Sequence, residues 1–138
     1  MEYTEGVRFD SLGLSPEIMR AIGQRNIEVS TPVQAGCIPP MMDWRDVIAK
    51  APTGTGKTFA YGIPIVEHID RSDESVQAVI LAPTRELAIQ ITDEIRLLAT
   101  FKPGVRCVCL YGGAPIGRPI ATFKKHPQIV EATPGRLN

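Results

Sequence analysis

The sequence predicts an α/β fold in which helices flank a parallel sheet. Three observations carry that prediction. Apolar runs at 47–49, 76–82, 105–111 and 128–132 read as short strands. Helix-period segments separate them, and parallel strands need such crossovers. A glycine-rich turn joins the first run to the next helical stretch, as in folds that bind phosphate at a helix start.

The elements follow in order. Ser15-Pro16 is a cap followed by proline at the first helical position, so a helix starts there. It turns Ile18, Met19 and Ile22 inward and ends near Gly23. Thr31-Pro32 starts a short helix through Gln34 and Ala35, which Ile38-Pro39-Pro40 is expected to end. Val47-Ile48-Ala49 is the first strand, and a helix runs from Lys57 to about Ile69 with a kink expected at Pro64. Residues 76–82 read as a buried strand. Residues 84–99 read as a helix with Leu87, Ile91, Ile95 and Leu98 in one stripe. A strand over 105–111, a weaker helix over 116–125 and a strand over 128–132 complete the series.

The chain has 138 residues, of which 43% are hydrophobic and 22% charged, enough for one globular core without staples. Fifteen basic and fifteen acidic side chains cancel, so the basic excess of a strong electrostatic nucleic-acid binder is lacking. Three cysteines without paired spacing fit neither a disulfide frame nor a zinc site. Cys107 and Cys109 share one strand face and read, with Cys37, as small buried apolar residues in a reducing compartment. The polar start Met1-Glu2-Tyr3-Thr4-Glu5 lacks the pattern of a signal peptide, and no apolar run reaches the length of a membrane span. A cytoplasmic location and no membrane contact are expected.

Ala51-Pro52-Thr53-Gly54-Thr55-Gly56-Lys57-Thr58 carries the most chemistry. Gly54 and Gly56 let successive amides turn toward phosphate oxygens, and the helix at Lys57 adds its positive end. Lys57 can bridge β- and γ-phosphates, and the Thr58 hydroxyl can sit on Mg²⁺. Ala51 fills the position where the strict pattern has glycine. Such a loop alone does not separate kinase, GTPase, transporter ATPase and helicase. His68 and His126 have no ligand-spaced partner and read as surface or helix-end residues; Trp44 reads as packing its ring at a domain edge.

The separation comes from the company the loop keeps. Pro83-Thr84-Arg85-Glu86-Leu87-Ala88, Gly112-Gly113 and Thr133-Pro134-Gly135-Arg136 follow in that order. Together with the loop they resemble motif Ia, the glycine pair and motif Ib of the DEAD-box RNA helicases, over nearly the whole chain. Ser30-Thr31-Pro32-Val33-Gln34 resembles the end of that family's Q motif, and Phe9 stands where the family keeps an isolated aromatic. The resemblance implies a RecA-like P-loop domain with a parallel sheet and flanking helices, stopping before the DEAD strand. Its parts would be a Q-motif region over 1–35 and a partial RecA-like ATP-binding domain over 36–138.

It also implies roles. ATP would be held by Phe9, Gln34, Ala51, Thr53, Gly54, Thr55, Gly56, Lys57 and Thr58. Lys57 and Thr58 would act in catalysis, with Thr58 on Mg²⁺. A Gln amide can pair with the N6–N7 edge of adenine while a ring stacks on its face, which would favour ATP over GTP. RNA backbone would be met by Pro83, Thr84, Arg85, Gly113, Thr133, Gly135 and Arg136, contacts that position without reading sequence. The competing role for Thr84 and Thr133 is helix capping, and both roles can hold together.

Four positions depart from the family pattern. Pro52 replaces Gln, Asn26 replaces Gly, Ser30 replaces Pro, and Glu131 puts a carboxylate where an apolar residue is expected. A buried unpaired carboxylate is costly, so Glu131 is expected to be a local defect. The sequence contains neither an Asp-Glu-Ala-Asp nor a Ser-Ala-Thr string, so no turnover and weak or absent nucleotide affinity are expected from this chain alone. Strand edges left bare would favour self-association. The main alternative is a non-enzymatic nucleotide- or RNA-binding product; a P-loop ATPase outside the helicases conflicts with PTRELA followed by TPGR.

Overall fold

A computed structural model of the chain describes residues 6–52, 56–110 and 126–134. Its helices are α1 (Pro16–Gly23), α2 (Pro32–Met42), α3 (Lys57–His68) and α4 (Arg85–Leu98). Its strands are β1 (Ala78–Leu81), β2 (Cys107–Leu110) and β3 (Ile129–Ala132). The helix expected over 116–125 lies outside the described residues. The chain divides into two compact units, Met1–His68 with Leu97–Lys102, and Ile69–Arg96 with Pro103–Asn138.

In the first unit, Ser15 caps α1 by accepting from Ile18 N, and Pro16 follows at the start of the helix. Ile18, Ala21 and Ile22 are buried, while Met19 is only half-buried. Asn26 adopts φ +57°, a left-handed backbone that asparagine tolerates better than most residues. That explains why it can stand in a place where glycine is usual. Ser30 ties back to Val7: its N–H and its hydroxyl both donate to Val7 O at 2.7 Å. Proline there would lose the first of these bonds. The same antiparallel contact, with Phe9 N donating to Glu28 O at 3.0 Å, seats Phe9 in the core at 0% exposure.

Two expectations for this unit need correction. α2 does not end at Pro39-Pro40 but continues through both to Met42. The residues one turn earlier are Ala35 and Gly36, which crowd the rings little. Packing of α2 on α3, with Ala35, Cys37 and Ile38 buried, outweighs the two missing donors. Residues 47–49 form no strand. No strand among the described residues pairs with them, and Ile48 is 93% exposed. Trp44 packs its ring against His68, with centroids 3.7 Å apart, and stays 76% exposed.

α3 runs on through Pro64, with Phe59, Ala60, Ile63 and Val66 buried. Burial of Ile18, Ile22, Ile38 and Ile63 contributes roughly 2 kcal/mol each. The C-terminal end of α3 is held by polar contacts. Glu67 accepts from Ser15 N (2.8 Å), Ser15 Oγ (2.6 Å) and Lys102 Nζ (2.8 Å). His68 Nε2 lies 3.0 Å from Met41 O, joining it to the end of α2. The Arg20 guanidinium sits 4.2 Å over the Phe101 ring. Burial alone would push the Glu67 carboxyl up, but Lys102 and Ser15 outweigh it and hold the group below the usual range.

The second unit contains a three-stranded parallel sheet of order β1-β3-β2. Val79, Val130 and Val108 align across it, as do Leu81, Ala132 and Leu110. β3 is buried throughout. Among the described strands β1 lies at the edge, and Val79 (53%) and Leu81 (57%) are exposed, so the fully buried strand expected over 76–82 is shorter and one-sided. In α4, Ala88, Ile91, Thr92, Ile95 and Leu98 are buried, but Leu87 stays at the surface and leaves the expected stripe. Cys107 and Cys109 share a face as expected, yet are half-buried rather than fully covered. Glu131 occupies the middle of β3 at 0% exposure, and neither carboxylate oxygen has a hydrogen-bond partner.

Candidate phosphate-binding site and sheet edge

The residues assigned to a phosphate loop belong to the first unit. Thr53, Gly54 and Thr55 lie outside the described residues. Gly56 adopts φ +78°, and a Cβ there would overlap Gln34 Nε2. Only glycine satisfies both the left-handed backbone and the close approach. Gly56 O accepts from Gln34 Nε2 at 3.1 Å and from Ala60 N at 3.2 Å, so it joins the loop to both α2 and α3.

α3 then begins at Lys57, whose side chain is exposed, with Thr58 half-buried beside it. The first N–H groups of a helix have no acceptor within it, which leaves this end suited to an anion. An apolar cavity of about 200 Å³ adjoins the loop. It is lined by Val33, Cys37 and Met41 of α2, by Lys57, Ala60 and Tyr61 of α3, and by the odd-numbered residues of the 47–51 run. Burial pushes the Cys37 thiol up, so it stays a neutral part of that wall.

The two residues assigned to the base of a nucleotide are engaged with the protein itself. Gln34 is 5% exposed and completes a capping box with Thr31. Its Oε1 accepts from Thr31 N at 2.8 Å while its Nε2 holds Gly56 O. The Phe9 ring is wholly covered. What the sequence reading missed is this link between α2 and the loop. Its signal was present in Thr31-x-x-Gln34, the spacing of a capping box.

The second unit brings the exits of β1 and β3 to one edge of the sheet. Because the strands are parallel, their carboxyl ends coincide, and loops at such an edge are where open α/β sheets bind ligands. Ala82 N donates to Ala132 O at 2.9 Å and Thr133 N to Leu110 O at 3.0 Å. These bonds fix the points where the chain leaves β1 and β3. Pro83, Thr84 and Arg85 are exposed at the first exit; Thr133 is half-buried and Pro134 exposed at the second. Thr84 also caps α4: its Oγ1 accepts from Leu87 N at 3.2 Å and its O from Ala88 N at 3.0 Å. Gly113, Gly135 and Arg136 lie outside the described residues.

A glycine-shaped loop opening a helix, with a parallel sheet whose exit loops share one edge, defines the class of P-loop α/β proteins. Comparison with known proteins narrows the class. The DEAD/DEAH box helicase family matches residues 31–138, and the chain belongs to that family. It is 49% identical over 129 residues to the DEAD-box ATP-dependent RNA helicase CshA of Geobacillus kaustophilus, covering 94% of this chain and 27% of that protein. It is 47% identical to CshA of Limosilactobacillus reuteri, covering 95% and 26% respectively. The chain thus spans about a quarter of the length of these relatives.

Among solved structures, it is similar to a DEAD box protein from the hyperthermophile Methanococcus jannaschii, with TM-score 0.87 and 37% identity over 94% of this chain and 35% of that one. It is also similar to the DEAD-box helicase Mss116 bound to ssRNA and UDP-BeF, with TM-score 0.86 and 40% identity over 99% and 30%. The fold is the RecA-like one of these neighbours. No helix among the described residues is long and apolar enough to cross a membrane.

Proposed function

We propose that this chain is the N-terminal ATP- and RNA-binding portion of an ATP-dependent RNA helicase, with 1–35 as the Q-motif region and 36–138 as a partial nucleotide-binding domain. The observation that carries the reading is Gly56, held to Gln34 in a left-handed backbone with no room for a Cβ, immediately before Lys57 and Thr58. A cradle that a Cβ would fill, an exposed ammonium and a hydroxyl at a helix start fit a magnesium-bound triphosphate. Mg²⁺ would supply charge neutralisation between phosphates, with Thr58 as its protein ligand.

The purine end needs a rearrangement. Gln34 must release Thr31 N or Gly56 O before its amide can meet adenine, and Phe9 must uncover a face. The exit loops at Pro83–Arg85 and Thr133 onward, with Gly113, Gly135 and Arg136, supply amides, hydroxyls and guanidinium groups suited to RNA phosphates. The three free thiols are consistent with a reducing cytoplasm. The apolar edge residues Val79 and Leu81 support self-association of the isolated chain.

The test is titration of a fluorescent ATP analogue with Mg²⁺. Binding displaced by ATP rather than GTP, and weakened about tenfold or more in Lys57→Ala, is expected. Phosphate release should stay at background even with RNA. Equal binding by parent and Lys57→Ala, or RNA-stimulated turnover, would overturn the reading.

A further inference from the structure

Glu131 is a group that neither nucleotide nor RNA binding uses. It lies mid-way along the central strand of the sheet, 0% exposed, with both oxygens unpartnered. By register its neighbours are Ile80 on β1 and Cys109 on β2, with Cys107 further back on the same face of β2. From α4 come Thr92 and Arg96, with Asp93 acting on the adjoining Cys109. The Thr92 hydroxyl has one proton and gives it to Ala88 O at 2.8 Å. Arg96 is exposed and directs Nη2 to Cys107 O at 3.3 Å. β1 contributes no titratable group to this face. Among the described residues an ionised Glu131 therefore meets two thiols, an occupied hydroxyl and, as its one cation, the guanidinium of Arg96, whose side chain is at the surface and hydrogen-bonds elsewhere.

We propose that Glu131 is a pH-sensitive switch on the order of this sheet. With the proton on, β1, β2 and β3 stay paired and hold the exit loops at Pro83–Arg85 and Thr133. With the proton lost, the carboxylate seeks water and β3 loosens. The proposal requires no ligand and stands apart from the nucleotide-binding reading.

Burial pushes the Glu131 carboxyl up to about 7, with Thr92 and Arg96 pulling back only in part. The folded chain then keeps a proton that the unfolded chain sheds above its ordinary value of 4.5. Stability is highest below that value, falls as pH rises toward about 7, and levels off above it. Over this window the folding equilibrium constant should drop roughly 100-fold on account of this one group. The same charge acts on its neighbours: Cys107 is pushed up to about 12, by burial first and by Glu131 second.

The experiment compares urea unfolding of the full chain with that of Glu131→Gln between about pH 5 and about pH 8. The parent-to-variant ratio of folding constants should fall roughly 100-fold across the range. A ratio that does not change with pH overturns the proposal. Glu131→Val serves as a second reference that carries no proton. Carboxyl ¹³C NMR gives an independent reading near pH 6. One protonated glutamate in the parent, missing from Glu131→Gln, supports the switch; a parent with every glutamate ionised refutes it.

Discussion

Each of the two compact units has taken one glutamate out of water, with opposite results. In the first, the Glu67 side chain is 6% exposed and meets three donors from Ser15 and Lys102. In the second, Glu131 is fully buried and meets none. Partners hold the carboxyl of Glu67 below its usual range, while burial, offset only in part by Thr92 and Arg96, leaves that of Glu131 raised to about 7. Both are removed from water, Glu131 the more deeply, so the opposite shifts show direct donors and a counter-charge outweighing burial at Glu67 and failing to do so at Glu131. The partnered carboxylate joins α1, α3 and the segment after α4 within one unit; the unpartnered one weakens the strand that carries an exit loop.

Substitutions can break this contrast, the largest effects first. Glu131→Val should stabilise the chain by roughly 3 kcal/mol at about pH 8, read from urea unfolding, because an unpaired charge gives way to a side chain that suits a buried strand. A destabilised variant would mean that Glu131 has a partner after all. Glu67→Ala should act in the other direction at about the same size, roughly 3 kcal/mol, since it leaves Lys102 without its counter-charge and two Ser15 donors unmet. A loss no larger than that of an exposed pair would show that the network is solvated. Thr31→Ala should cost about 1 kcal/mol through loss of the cap on α2. It should also loosen Gln34 and weaken nucleotide binding. Lys57→Ala should change stability by less than about 0.5 kcal/mol, because the side chain is exposed. Any loss of nucleotide binding in that variant then reports chemistry rather than unfolding.

Much of this arrangement was legible from local pattern. Ser15-Pro16 and Thr31-Pro32 both start helices, and both serine and threonine cap as their position requires. The glycine-rich loop opens α3 at Lys57, and the carboxylate at Glu131 is as buried and unsatisfied as its place in an apolar run implied. The failures share a cause: they depend on neighbours distant in sequence. Residues 47–49 have the composition of a strand, but a strand exists only with a partner, and none of the described ones pairs with it. Pro39-Pro40 should end a helix on local grounds, yet packing against α3 carries α2 past them. Glu67 meets Ser15 across 52 positions of sequence, and no spacing rule reaches that far.

The contrast itself is tested most directly by one measurement. This is the unfolding free energy of the parent, Glu67→Gln and Glu131→Gln from about pH 3 to about pH 8. The parent's advantage over Glu67→Gln should be full above the ordinary carboxylate range and fade as pH falls through it. Its disadvantage against Glu131→Gln should be absent at low pH and grow until about pH 7. Differences that run in the same direction, or that stay flat in both variants, would contradict the account.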